Sequence, residues 1–113
     1  MENVEISFVG ATPADASRLA DDLAAYVRMH IDGAEVRVIG GSSDAMDFGA
    51  TVALVLGTPA VIILARGIAD WVRRQGDPDL LIKTAKGSVT VKGGLDMAAK
   101  KEIILAAFEK GAL

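Results

Sequence analysis

The sequence predicts an α+β domain with the order β-α-β-α-β-β-α, a four-stranded mixed sheet with its helices mostly on one face. Three patterns carry that prediction. Short segments of two-residue alternation stand near both ends of the chain, at Val4–Gly10, Glu35–Ile39 and Leu80–Val91. Between the first two lies a stripe of three- and four-residue spacing introduced by Thr12-Pro13, a helix-start signature. The middle is occupied by Phe48–Gln75, which is uncharged from Phe48 through Ala65 and then turns into Arg66, Asp70, Arg73 and Arg74. A segment that apolar must be buried in its own sheet, in a copy of itself, in another protein or in lipid.

In the first strand Val4, Ile6 and Phe8 share one face while Glu5 and Ser7 take the other. Thr12 supplies a hydroxyl for free helix amides, Pro13 loses nothing at the first helical position, and Asp15 sits near the positive end of the helix. The helix is expected to run to Met29 or His30, with Ala16, Leu19, Ala20, Leu23, Val27 and Ile31 facing the sheet. Gly33 closes it, and Glu35–Ile39 returns as a strand with Val36 and Val38 inward. The spacing suits a parallel crossover.

Gly40-Gly41-Ser42-Ser43-Asp44 reads as a flexible connection with a helix cap rather than a phosphate cradle, because no lysine follows and Asp44 and Asp47 repel anions. The apolar run then admits two assignments. Val52, Val55, Leu56, Ala60, Ile63, Gly67 and Trp71 lie on a helical stripe, giving one long apolar central helix kinked or broken near Pro59. Alternatively, β-branched Thr51, Val52 and Val55 mark Thr51–Leu56 as a strand, and the helix starts at Pro59. After Gly76-Asp77-Pro78 a hairpin places Leu80, Ile82, Val89 and Val91 inward around a Lys86-Gly87 turn. Asp96 caps a last helix whose Met97, Ile104 and Phe108 face the core, and Gly111 ends it.

With 113 residues the chain is one domain, 1–113, large enough to bury a core without staples. It has no cysteine, which excludes thiolate catalysis and thiolate metal sites and agrees with a reducing compartment. Glu2 and Glu5 stand where a signal peptide would be positive, so the expected location is cytoplasmic. Twelve Lys and Arg against 15 Asp and Glu, with few aromatics, argue against a nucleic-acid surface.

Catalytic equipment is thin. His30 is the single histidine and with Asp32 supplies at most two metal ligands. Ser42, Ser43 and Ser88 lack a nucleophile context, and the acidic pairs Asp21-Asp22 and Asp77/Asp79 read as solvated surface. The expectation is a protein that is no enzyme and holds no cofactor and no metal.

The order of elements resembles a known family. The helix with Leu19, Leu23 and Tyr26, Met46 with nearby Gly49, the run Val52–Gly57 and above all Ala65–Arg74 (ARGIADWVRR) are similar to the effector-associated constant component proteins of bacterial conflict systems. The hairpin with Gly87 at its turn extends the likeness over nearly the whole chain, and Thr58-Pro59 departs from the small residues or glycines usual there. The resemblance implies a non-enzymatic adaptor in antiphage immunity, the invariant partner of protease-like, caspase-like or nucleotide-degrading effectors. The apolar segment then becomes a self-association or effector-docking interface made by Phe48, Leu56, Ile63, Ile68 and Trp71, with Arg73 and Arg74 at its rim, in an expected homo-oligomer. Two alternatives stay open: a membrane-associated component embedding residues 48–65, and a small-ligand-binding module using the Gly40–Asp44 loop.

Overall fold

The computed structural model describes residues 2–31, 34–39, 51–56, 60–84 and 87–112. The chain is α+β: strands β1 (Glu2–Val9), β2 (Ala34–Ile39), β3 (Thr51–Leu56), β4 (Asp79–Thr84) and β5 (Gly87–Val91), with helices α1 (Pro13–His30), α2 (Ala60–Arg74) and α3 (Met97–Ala112). The sheet has five strands in the order β2-β3-β1-β4-β5, and every neighbouring pair is antiparallel. The first six elements form the split β-α-β-β-α-β arrangement of ferredoxin-like domains, extended by β5 and α3.

Two expectations are corrected. The sheet is five-stranded and antiparallel, where four strands in a mixed sheet were expected. β1 and β2 do run parallel, but β3 inserts between them and pairs with both. The second correction explains the first. Residues 51–56 are a strand, so the apolar run is divided between the sheet and a 15-residue helix that starts at Ala60, and no long central helix forms. β3 has a hydrogen-bonded neighbour on each side, which satisfies its backbone in the middle of the sheet. Thr58-Pro59 lies outside the described residues.

The register stacks the apolar side chains on one face. Val36, Leu54 and Val4 lie in one row across three strands. Val38, Val52, Ile6, Ile82 and Val89 make the next, and Phe8, Leu80 and Val91 a third. All three helices join these residues in a single core: Leu19, Leu23 and Val27 from α1, Leu64, Ile68 and Trp71 from α2, Ile104 and Phe108 from α3. The other face carries Glu35, Arg37, Lys83, Ser88 and Thr90, all exposed, and the hydroxyls of Ser7 and Thr51 pair across β1 and β3 at 3.1 Å.

α1 begins as the sequence predicts: the Thr12 hydroxyl accepts from the Asp15 amide at 3.1 Å and Pro13 opens the helix. Its last turn is tied to the edge strand by Arg28, whose guanidinium donates to the Val36 carbonyl at 3.4 Å. α2 closes on Gly76 in the left-handed region, with the Asp77 amide donating to the Val72 carbonyl and the Gly76 amide to that of Arg73. Asp96 caps α3 by accepting from the Ala99 amide at 2.8 Å, and α3 continues through Gly111 to Ala112.

Candidate functional site

Helices α1 and α2 run antiparallel, as three contacts establish. Asp22 Oδ2 accepts from Trp71 Nε1 at 2.6 Å and from Gln75 Nε2 at 3.2 Å, while one turn further along α1 Tyr26 lies against Gly67, one turn earlier in α2. A Cβ at Gly67 would stand 2.8 Å from the Tyr26 hydroxyl oxygen, so the missing side chain is what lets the ring lie across α2. The Arg74 guanidinium covers that ring at 5.5 Å, and His30 packs beside it at 4.8 Å between ring centroids. Gly67→Ala is therefore a probe of this seam: helix propensity favours alanine by about 1 kcal/mol, and the half-buried ring swings aside to admit it. The expected result is a change in stability within about 1 kcal/mol together with a clear change in the Tyr26 ring resonances.

The two faces of α2 differ sharply. Leu64, Ala65, Gly67, Ile68, Ala69, Trp71 and Val72 are buried, and Ile62, Ile63, Arg66, Asp70, Arg73 and Arg74 are exposed. At 100° per residue the exposed six occupy one arc of the helix, apolar in its first turn and charged thereafter. Met29 lies two turns beyond Asp22 on the same side of α1, which the antiparallel pairing carries toward the start of α2. One end of the helix pair thus exposes Met29 (77%), Ile62 (53%) and Ile63 (59%), three of the four most exposed large apolar side chains among the described residues. The fourth, Ile39, belongs to the sheet.

The α2 residues expected at an interface fall on different faces of that helix. Ile63, Arg73 and Arg74 are exposed on the outer arc. Ile68 and Trp71 are corrected: both are core, at 0% and 1% exposure, and Trp71 packs on Phe8 with ring centroids 5.8 Å apart. Their azimuth on α2 turns them toward the sheet, which is where the largest side chain of the helix gains most by burial. Leu56 is the last residue of β3, and its side chain and Phe48 lie outside the described residues. Met29, Ile62 and Arg66, exposed, and half-buried Tyr26 were not among the residues expected there. For α1 the signal was there, since Asp22, Tyr26 and Met29 share a stripe beside the core-facing one.

Two other polar features lie apart from this face. The acidic pairs are not plain solvated surface. Asp22 holds the indole, Asp79 Oδ1 accepts from the Gly93 amide at 2.7 Å with Lys92 3.9 Å away, and Asp77, in the left-handed region, pairs with Lys100. Lys100 is 3% exposed, and beside it lies an open hollow of about 300 Å³ lined by Arg73, Asp77, Leu95, Asp96 and Met97. This cluster fastens the α2–β4 turn to the β5–α3 turn. On the open sheet face, small Ala53 leaves a second hollow of about 300 Å³ between Glu5, Glu35, Arg37, Ile39 and Val55. Asp32 and Gly40–Asp44 fall outside the described residues, and among the described ones no three His, Asp or Glu side chains converge on a point that could hold a metal.

Among the described residues no helix is long and apolar enough to cross a membrane. Comparison with protein-family models, with curated proteins and with solved structures finds no match to this chain.

Proposed function

We propose that this chain is a non-enzymatic adaptor that docks an effector protein through the outer face of α1 and α2. The observation that carries the reading is the exposure of Met29, Ile62 and Ile63 at one end of a helix pair whose other large apolar side chains, among the described residues, are buried or half-buried. Around it stand Tyr26, Arg66 and Arg74, and tyrosine, methionine and arginine are the residue types that interfaces concentrate. Ile62 and Ile63 are each about half covered already, and completing their burial contributes about 1 kcal/mol apiece. That suits a regulated contact. In keeping with the sequence resemblance, the partner is an effector of a bacterial conflict system, of the protease-like, caspase-like or nucleotide-degrading kinds, and the adaptor itself supplies no catalytic group.

Ile62→Asp combined with Ile63→Asp tests this. Both positions are surface, so the double variant is expected to stay folded, with a denaturation midpoint close to that of the parent. Co-purification with an effector domain of those classes is expected to fall at least tenfold. Undiminished co-purification by the folded variant refutes docking through this face.

A further inference from the structure

Resting on that docking face, we propose that its occupant is an acidic amphipathic helix, with apolar residues seated over Met29, Ile62 and Ile63 and carboxylates over Arg66, Arg73 and Arg74. Three features of the face lead there. Its charge is opposite to that of the chain: three arginines stand against the single Asp70 on the exposed arc of α2, while the protein as a whole carries −3. Those arginines also hold no ion pair, although Arg74 lies over the Tyr26 ring. Among the described residues the ion pairs are Lys92–Asp79 and Lys100–Asp77, and none of the three arginines has a carboxylate within bonding distance. Arg73 and Arg74 suit the negative end of their own helix, but Arg66, in its middle, has no such role.

The third feature is the order along the helix. The apolar tip lies in the first turn and the last arginine 11 residues beyond Ile63, about 16 Å along the axis. A partner that meets both ends presents apolar anchors at one end and carboxylates at the other, a length of about three helical turns.

The same features argue against the other occupants. Two copies meeting through this face would set arginines against arginines if their helices ran parallel, and against the apolar tip if they ran antiparallel, so neither arrangement gives the arginines a carboxylate partner. A helix lying on a membrane carries its apolar and cationic residues on opposite sides, whereas here both occupy one side and are separated along the axis. Carboxylates from an acidic helix fill the arginine sites with fork-to-fork hydrogen bonds that the chain itself leaves unmade.

The probes are a fluorescent synthetic helical peptide with leucines in its first two turns and glutamates in the next two, the same peptide with every glutamate replaced by lysine, and vesicles of phosphatidylserine and phosphatidylcholine. Anisotropy is read on the full chain, on Ile62→Asp/Ile63→Asp, on Arg66→Gln/Arg73→Gln/Arg74→Gln and on the corresponding triple Glu variant. The glutamate peptide is expected to bind the parent, at least tenfold more weakly to either arginine variant and more weakly still in high salt, and the lysine peptide to prefer the triple Glu variant. The Gln set keeps the test open should the Glu set fail to fold. Equal binding of the two peptides, affinity unchanged by arginine replacement, or binding to vesicles alone overturns the acidic helix. If the isoleucine pair abolishes capture of an effector while arginine replacement leaves it intact, the docking face stands and its acidic occupant falls.

Discussion

Replacing Trp71 with alanine is expected to destabilise the domain by about 3–5 kcal/mol, the usual cost of emptying a large aromatic site in a core. The indole is 1% exposed and stacked at a tilt on Phe8, and through Leu64, Ile68 and Val72 it belongs to the contact between α2 and the sheet. Its polar handle is also committed, donating at 2.6 Å to Asp22 on α1. One residue therefore joins β1, α1 and α2. Trp71→Phe keeps most of the apolar volume and loses the hydrogen bond to an exposed carboxylate, so it is expected to cost less than the alanine change, about 2 kcal/mol. Urea unfolding followed by circular dichroism reads both, since this tryptophan is the only one and fluorescence disappears with it. A midpoint unchanged in Trp71→Ala, with weakened association, would place the residue at an interface and not in the core.

Trp71 also marks where sequence periodicity stops being informative. A helix that is apolar nearly all round does not say which arc meets the sheet, and the aromatic type suits an anchor as well as a core. The same ambiguity hid β3. Val52 and Leu54 face the helices, but the outward positions hold Ala53 and Val55, so the alternation that reveals a half-exposed strand is erased. A central strand tolerates apolar residues on its open face, and a strand and a helix then look alike over six residues. By contrast, α1, the β4–β5 hairpin and the start of α3 were legible because each has its own punctuation: Thr12-Pro13, Gly87 and Asp96. Lys100 was invisible for another reason. It sits in the core-facing stripe one turn before Ile104, and the charge is tolerated there because Asp77, 23 residues earlier, reaches it from a turn whose path no local pattern specifies.

That turn gives the second large effect. Gly93→Ala is expected to destabilise the fold by about 3 kcal/mol or more, in the upper range for forcing atoms into a packed site. A Cβ at position 93 would fall 1.8 Å from the carbonyl oxygen of Asp77 and 2.9 Å from its carbonyl carbon. Both are backbone atoms and cannot rotate away. To admit the methyl group the α2–β4 turn must part from the β5–α3 turn. That movement strains the 2.7 Å bond from the Gly93 amide to Asp79 and pulls Asp77 from Lys100, leaving a buried ammonium without its partner. Gly94→Ala supplies the comparison one residue away: its Cβ meets nothing within 4 Å, and the change is expected to stay within about 0.5 kcal/mol of the parent. If both variants unfold at the parent's midpoint, the two turns do not touch as described. If only the first is destabilised, and Lys100→Met in the same background restores part of the loss by removing the stranded charge, the damage runs through the Asp77–Lys100 pair.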